Sequence, residues 1–258
     1  MMWTVASDID GTLTGDRAAL DRLTARLREL RAGGRLFLIL STGRRLEQVI
    51  HGIADEGLPE PDAVICQVGT EIYLPAFTEQ ARPMAAWRNR LLAEYSRQQA
   101  LSFLQGVDGL MMQPAEFNTE LKTSCFLDQC PNPEAAVTTI RQRVEPYGDR
   151  YQVVWSSNRD LDILPASSGK GKAIRFLVEQ KGLDPHRVVV AGDTGNDASM
   201  FRAFDKGVVV ANAQPELLEM VQALDPGRAY CAQRPYASGV EEGLAHFGVW
   251  AGLATARS

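Results

Sequence analysis

Five short apolar segments recur along this chain: Trp3 to Ser7, Leu36 to Leu40, Ala63 to Val68, Val188 to Ala191 and Gly207 to Ala211. Most run into small, hydroxyl or acidic residues, and several are followed by sequence of helical period, as in Leu20 to Arg31 and Ala173 to Gln180. An apolar strand feeding a helix, repeated, is the pattern of a parallel sheet with helices on its faces. The near-continuous Val, Ile and Leu content of the segments suits strands buried on both sides. The predicted class is therefore α/β, with a Rossmann-like parallel-sheet core.

Between Pro83 and Pro165 the texture changes. A helical stretch from Trp87 to Gln105, a strand over Lys122 to Leu127, a helix over Pro133 to Val144 and a strand over Tyr151 to Ser156 predict an inserted α+β unit. Pro75, Pro83, Pro165 and Gly169 punctuate its borders, where a chain can leave one sheet and rejoin it. Residues 83–159 are assigned to this insertion, and 1–82 with 160–258 to the core.

With 258 residues, 45% of them hydrophobic, the chain has material for one or two packed domains. Its 27 Lys and Arg against 32 Asp and Glu give a net charge of −5, the wrong sign for affinity built on nucleic-acid phosphates. No apolar run approaches the roughly 18 residues that a membrane span needs. Asp8 and Asp10 stand where a secretory leader requires an uncharged apolar stretch, so the cytoplasm is the expected compartment. Cys66, Cys125, Cys130 and Cys231 lack paired spacing and read as reduced, mostly buried thiols.

Four segments carry the chemistry. In Asp8-Ile9-Asp10-Gly11-Thr12, extended-chain alternation aims Asp8 and Asp10 at one point while Ile9 packs away. Ser41-Thr42-Gly43-Arg44 offers a hydroxyl and backbone N–H groups to a phosphate. Lys170 opens a helix in Ser168-Gly169-Lys170-Gly171-Lys172, with Lys172 the competing ammonium. Gly192-Asp193-Thr194-Gly195-Asn196-Asp197 returns acids to a strand end and supplies the hard oxygen ligands that Mg2+ prefers. Singly, each also reads as an acidic turn, a helix cap or a solvated lysine. Together they fall where open parallel sheets bind ligands, beyond the carboxyl ends of the strands.

These residues resemble the motifs of the haloacid dehalogenase superfamily of phosphatases, and the insertion lies where that superfamily carries C2-type caps. More narrowly, the sequence is similar to the sucrose-phosphate phosphatase family. The likeness runs through Gln67 to Tyr73, Leu121-Lys122-Thr123-Ser124, Ser156 to Pro165 and Asn212-Ala213-Gln214-Pro215-Glu216-Leu217. Mannosylfructose-phosphate phosphatase shares much of that pattern.

The resemblance implies a Mg2+-dependent phosphatase acting on a disaccharide phosphate, with sucrose 6-phosphate first and mannosylfructose phosphate second. It implies Asp8 as nucleophile and Asp10 as general acid and base, its pKa raised when the cap closes. Thr42 and Lys170 would stabilise the transferred phosphoryl group. The metal would rest on Asp8, the Asp10 backbone carbonyl and Asp193, with Asp197 supporting that shell or Lys170. Gly43, Arg44, Thr70, Glu71, Lys122 and Asn196 are the expected substrate-binding positions, Glu71 and Lys122 reading the sugar. His51, His186 and His246 match no catalytic position. The expected partners are a small sugar phosphate and a glycosyltransferase synthase whose reversible transfer the hydrolysis would pull forward, completing synthesis of a compatible solute. Two other classes fit the same residues: a non-catalytic phosphosugar-binding module, and a phosphomutase that returns the phosphoryl group to sugar.

Overall fold

The computed structural model describes residues 2–251. Seven strands form one sheet in the spatial order Ala229–Cys231, Gly207–Val209, Val188–Gly192, Trp3–Ser7, Leu36–Ser41, Ala63–Cys66 and Glu71–Tyr73. Every neighbouring pair is parallel except the last, where Glu71–Tyr73 runs back against Ala63–Cys66.

Alternation along the strands explains the layering. Val5, Leu38, Leu40 and Val189 turn to one face, meeting Leu20, Leu23 and Leu27 of helix Arg17–Ala32 and Val240 and Leu244 of helix Tyr236–His246. Ala6, Ile39, Ile65 and Val190 turn to the other, under Ile174 and Leu177 of helix Lys170–Gln180 and Phe201 of helix Ala198–Ala203. Both faces are covered, as the uninterrupted apolar strands require.

A second sheet of four antiparallel strands has the order Met111–Met112, Thr123–Phe126, Asp160–Pro165 and Tyr151–Ser156. Helix Pro133–Val144 packs Val137 and Ile140 into its apolar layer with Leu161 and Ile163. Two expectations fail here. Strand Asp160–Pro165 was assigned to the core, yet it pairs on both edges within the small sheet, which therefore runs six residues past the 159/160 border. The reason is a tight hairpin, in which Ser157 and Asn158 take φ of 54° and 51° and turn Tyr151–Ser156 back on itself. The stretch Trp87 to Gln105 is also two helices, Ala85–Leu92 and Arg97–Leu104, rather than one. Tyr95 between them is buried, its hydroxyl paired with Thr123 Oγ1 at 2.8 Å and donating to Ile163 O at 3.0 Å.

Among the described residues no helix is long and apolar enough to cross a membrane. Cys66, Cys125 and Cys130 are buried and Cys231 is exposed, all four as free thiols. Burial pushes the Cys125 thiol up to about 12 and raises Cys66 and Cys130 as well. Thiolate formation controls reactivity, so a disulfide reagent at pH 8 should titrate one thiol quickly in the native protein and four after denaturation. Rapid native modification in Cys231→Ser would contradict this burial pattern.

Candidate active site

The chemistry collects at the carboxyl ends of the central strands. Asp8 directly follows Trp3–Ser7, and its N–H donates to Ala191 O at 2.9 Å, locking it beside Val188–Gly192. The carbonyl of Ile9 then accepts from Leu13 N at 2.9 Å and Thr14 N at 3.0 Å, which folds the chain sharply back while the Ile9 side chain enters the core. Gly11 sits in this turn at φ 78°, and a Cβ there would come 2.3 Å from Asp193 Oδ2. Only glycine meets both conditions without displacing Asp193.

Lys170, with no exposed surface, is the centre of the site. Its ammonium donates at 2.6 Å to each of Asp8 Oδ1, Asn196 Oδ1 and Asp197 Oδ1, using all three protons. Lys172, the competing lysine, instead donates to Ala166 O on an exposed edge. Asp197 spends its other oxygen on the backbone N–H groups of Asp193 at 2.9 Å and Thr194 at 3.1 Å, shaping the acidic loop. Asp193 accepts from Thr12 Oγ1 at 2.8 Å. Ligand oxygens of Asp8, Asp193 and Asp197 lie within 4.8 Å of one another.

One ammonium thus faces three buried carboxylates. Burial raises Asp8 well above the usual carboxylate range, Lys170 pulling the other way and Asp197 and Asp193 adding to the rise. Burial and the Asp197 charge push Asp193 up to about 7, against the Thr12 hydrogen bond. Burial works against the charge on Lys170, but Asp197 and Asp8 outweigh it and hold the ammonium protonated above its ordinary range. The excess negative charge and the all-oxygen donor set suit a hard divalent cation. Asp197 uses both oxygens on Lys170 and two backbone N–H groups, whereas Asp8 and Asp193 each commit only Oδ1, to Lys170 and Thr12, and keep Oδ2 for a ligated cation.

A cavity of about 320 Å3 opens above this cluster. Asp8, Asp10, Gly43, Arg44 and Asn196 form its floor, while Phe117, Ser156 and Asp160 of the small-sheet unit face them. Thr42 lies buried beneath, its hydroxyl oxygen accepting from Arg44 N at 3.1 Å. Arg44 is occupied on both edges, by Asp10 at 2.7 Å and by Glu56 at 2.9 Å.

The remaining expected positions stand back from this cavity. Thr70 is buried and its hydroxyl closes its own turn onto Gln67 O at 3.0 Å. Glu71 accepts from the Tyr73 hydroxyl at 2.8 Å, and its pKa is raised by burial, with Lys122 opposing the rise. Lys122 is only 3% exposed and lies 3.5 Å from Asp162. The three histidines are exposed and away from the cluster. The site also holds residues that the motif pattern left without a role. Asn212 donates to Gly11 O at 2.7 Å and accepts from Tyr236 N at 2.9 Å, bracing the turn after Asp10. Glu216 accepts from Gly195 N at 3.4 Å and from Ser157 N at 3.1 Å, joining the acidic loop to the hairpin of the small sheet. Both stand in the Asn212-to-Leu217 segment, which was the available signal. Glu56 had none, because it is joined to Arg44 only through the fold.

The family described as Sucrose-6F-phosphate phosphohydrolase matches residues 2–248. A mannosylfructose-phosphate phosphatase of Agrobacterium fabrum is 32% identical over 95% of this chain and 96% of its own length. Sucrose-phosphatase 1 of Nicotiana tabacum is 29% identical over 94% of this chain, which spans 58% of that longer protein. The X-ray structure of the sucrose-phosphatase from Synechocystis, in complex with sucrose and phosphate, aligns with a TM-score of 0.89 at 32% identity, covering 96% of this chain and 98% of that one.

Proposed function

Because this chain belongs to the sucrose-6F-phosphate phosphohydrolase family, within the haloacid dehalogenase superfamily, we propose that it is a phosphomonoesterase that hydrolyses sucrose 6-phosphate to sucrose and phosphate with Mg2+. The observation that carries this reading is the buried Asp8–Lys170–Asp197 cluster with Asp193, at the floor of a cavity roofed by the small sheet.

The residues divide the work as follows. An oxygen of Asp8 attacks phosphorus, the bond between phosphorus and the sugar oxygen breaks, and Asp10 protonates the leaving oxygen. Asp10 then takes a proton from water as that water attacks the aspartyl phosphate, releasing phosphate and restoring Asp8. Lys170 and Thr42 bear on the phosphoryl oxygens, where positioning and electrostatics supply most of the acceleration. Asp8, Asp193 and the Asp10 carbonyl would hold Mg2+, which supplies charge neutralisation at the phosphoryl group. Asp197 and Asn196 act on Lys170, keeping its ammonium aimed at Asp8. Gly43 and Arg44 bound the substrate cavity, and Glu71, Lys122 and Thr70 sit in the shell behind it as groups through which the sugar is selected. Residues 83–159 together with strand Asp160–Pro165 constitute the cap in this reading. A glycosyltransferase that makes the sugar phosphate reversibly is the reaction this hydrolysis would draw forward.

Phosphate release from sucrose 6-phosphate, mannosylfructose phosphate, glucose 6-phosphate and fructose 6-phosphate, with Mg2+ or EDTA, tests the substrate. Preference for sucrose 6-phosphate is the expected result. Preference for mannosylfructose phosphate would establish the second reading, which the relative from Agrobacterium fabrum favours. Phosphate release without any acceptor sugar excludes a phosphomutase, which would instead return the phosphoryl group to a sugar hydroxyl and free no phosphate; neither release nor transfer from any of them would establish a binding module.

The metal requirement should depend on pH. Protons and the cation compete for Asp193, whose pKa is pushed up to about 7. The carboxylate is free to ligate above that value, and each pH unit below it should raise the half-saturating Mg2+ concentration by about tenfold. Mg2+ titrations at about pH 6 and pH 8 check this; equal half-saturation at both would remove Asp193 from the metal site.

A further inference from the structure

Three cavities abut one another beneath the small sheet. The first is the catalytic cleft, with Asn196 in its wall. The second, of about 320 Å3, has the other side of Asn196 in its wall together with Ser199, Arg202 and Trp155. The third, of about 600 Å3, shares Ser199, Arg202 and Gln152 with the second. A row of neighbouring cavities therefore lies behind the reaction centre, joined through Asn196 and then through Gln152, Ser199 and Arg202.

Its charge runs against that of the protein. In a chain of net charge −5, Arg141 lines the second cavity, Arg90, Lys172 and Arg175 the third, and Arg202 both. Glu179 and Glu216 are the carboxylates among the lining residues, and Glu216 is held by backbone N–H groups. None of the five cations forms an ion pair among the described residues. Lys172 and Arg175 donate to backbone carbonyls, Ala166 O at 2.5 Å and Ala203 O at 2.6 Å, which leaves their charge uncompensated. The indole N–H of Trp155, in the wall of the second cavity, is buried with no acceptor. Uncompensated cations lining these cavities are the complement of a small anion with several acceptor oxygens.

We propose that this cationic passage behind Asn196 holds inorganic phosphate, the product of hydrolysis, at a second site outside the reaction centre. The inference rests on the phosphatase reading. Phosphate is formed against Asp8 and Lys170, at the bottom of a cleft whose mouth the sugar occupies, and Asn196 touches Lys170 on one side and the passage on the other. The field of Arg202 and its neighbours draws the anion away from the cleft, so the two products need not leave by one mouth.

Initial rates with added inorganic phosphate separate the two sites. Phosphate in the reaction centre excludes substrate and raises KM alone, whereas phosphate in the passage binds with substrate present and lowers kcat. Both effects are expected in the wild type. Arg202→Glu should weaken the kcat effect at least about tenfold and leave uninhibited kcat and the KM effect within about twofold. Arg202→Lys, which keeps the charge, should retain both, and Arg90→Glu repeats the charge reversal from a different helix. Equilibrium dialysis of radiolabelled phosphate should count two equivalents per wild-type chain and one per Arg202→Glu chain. Purely competitive inhibition of the wild type, or a kcat effect unchanged by Arg202→Glu, would overturn the second site while leaving the phosphatase intact. Failure of the phosphatase reading would show differently, as the absence of phosphate release without any inhibitor.

Discussion

Asp8→Asn should abolish phosphate release, by about 10^4-fold or more in kcat, while making the metal-free protein more resistant to heat. The loss follows from the reaction: a neutral amide cannot form the aspartyl phosphate, and removal of a nucleophile on this scale leaves only binding and electrostatic assistance. The gain follows from burial. Asp8 is 4% exposed and its pKa is raised well above the carboxylate range, chiefly by desolvation. A carboxyl group whose folded pKa exceeds its unfolded value weakens the folded state once pH rises through the unfolded pKa, so at neutral pH the charge is a net cost. Asn keeps an oxygen that can accept from Lys170. Each kcal/mol regained corresponds to about 2–4 °C at this chain length. Scanning calorimetry in EDTA beside a phosphate-release assay reads both effects. An Asp8→Asn protein that melts lower in EDTA would show that the Lys170 ion pair outweighs desolvation, and one that retains turnover would remove Asp8 from the nucleophile's role. In the wild type Mg2+ should raise the melting temperature, and in Asp8→Asn that increment should largely vanish.

Lys170→Met should be costly in both respects. Methionine fills most of the lysine's volume, so the packing of helix Lys170–Gln180 survives, but Asp8, Asn196 and Asp197 lose a donor each holds at 2.6 Å. Buried charge left without its partner costs about 3–5 kcal/mol, and loss of a cation at the phosphoryl group costs about 10^3-fold in kcat. The pH dependence carries the sign. Without the ammonium Asp8 and Asp193, both already raised, lose an opposing charge, so the destabilisation relative to wild type is largest at and above about pH 7 and shrinks as acid protonates them below it. Denaturant melts of both proteins at about pH 7 and pH 4.5 measure that difference. A gap equally wide at both values would assign the loss to packing rather than charge.

The core was legible because its signals are local. Alternation along Trp3–Ser7 and Leu36–Ser41 places side chains on both faces, and the same period-two logic sends Asp8 and Ile9 opposite ways. The acidic loop after Val188–Gly192 could be read from its neighbours for the same reason. What was misread depends on contacts between distant segments. Asp160–Pro165 joins the small sheet because two left-handed residues turn the preceding strand, a conformation that Ser157 and Asn158 do not announce. The break at Tyr95 reflects a hydroxyl that finds Thr123 and Ile163 across the small sheet. Lys122 is held 3.5 Å from Asp162 of the neighbouring strand, a contact that its own sequence neighbours do not announce. Arg44 was a substrate ligand by position, and the fold adds Glu56 to the carboxylates around it. Long-range electrostatics of this kind leave no periodic trace in one sequence.

The most direct test is to quench the enzyme in acid during turnover of a sugar phosphate labelled with 32P and to locate the label by peptide mapping. Acid-stable radioactivity is expected on Asp8, in the peptic peptide that contains it, decaying on chase with unlabelled substrate and absent from Asp8→Asn. Turnover without any labelled protein, or label on a residue other than Asp8, would contradict this assignment of the nucleophile.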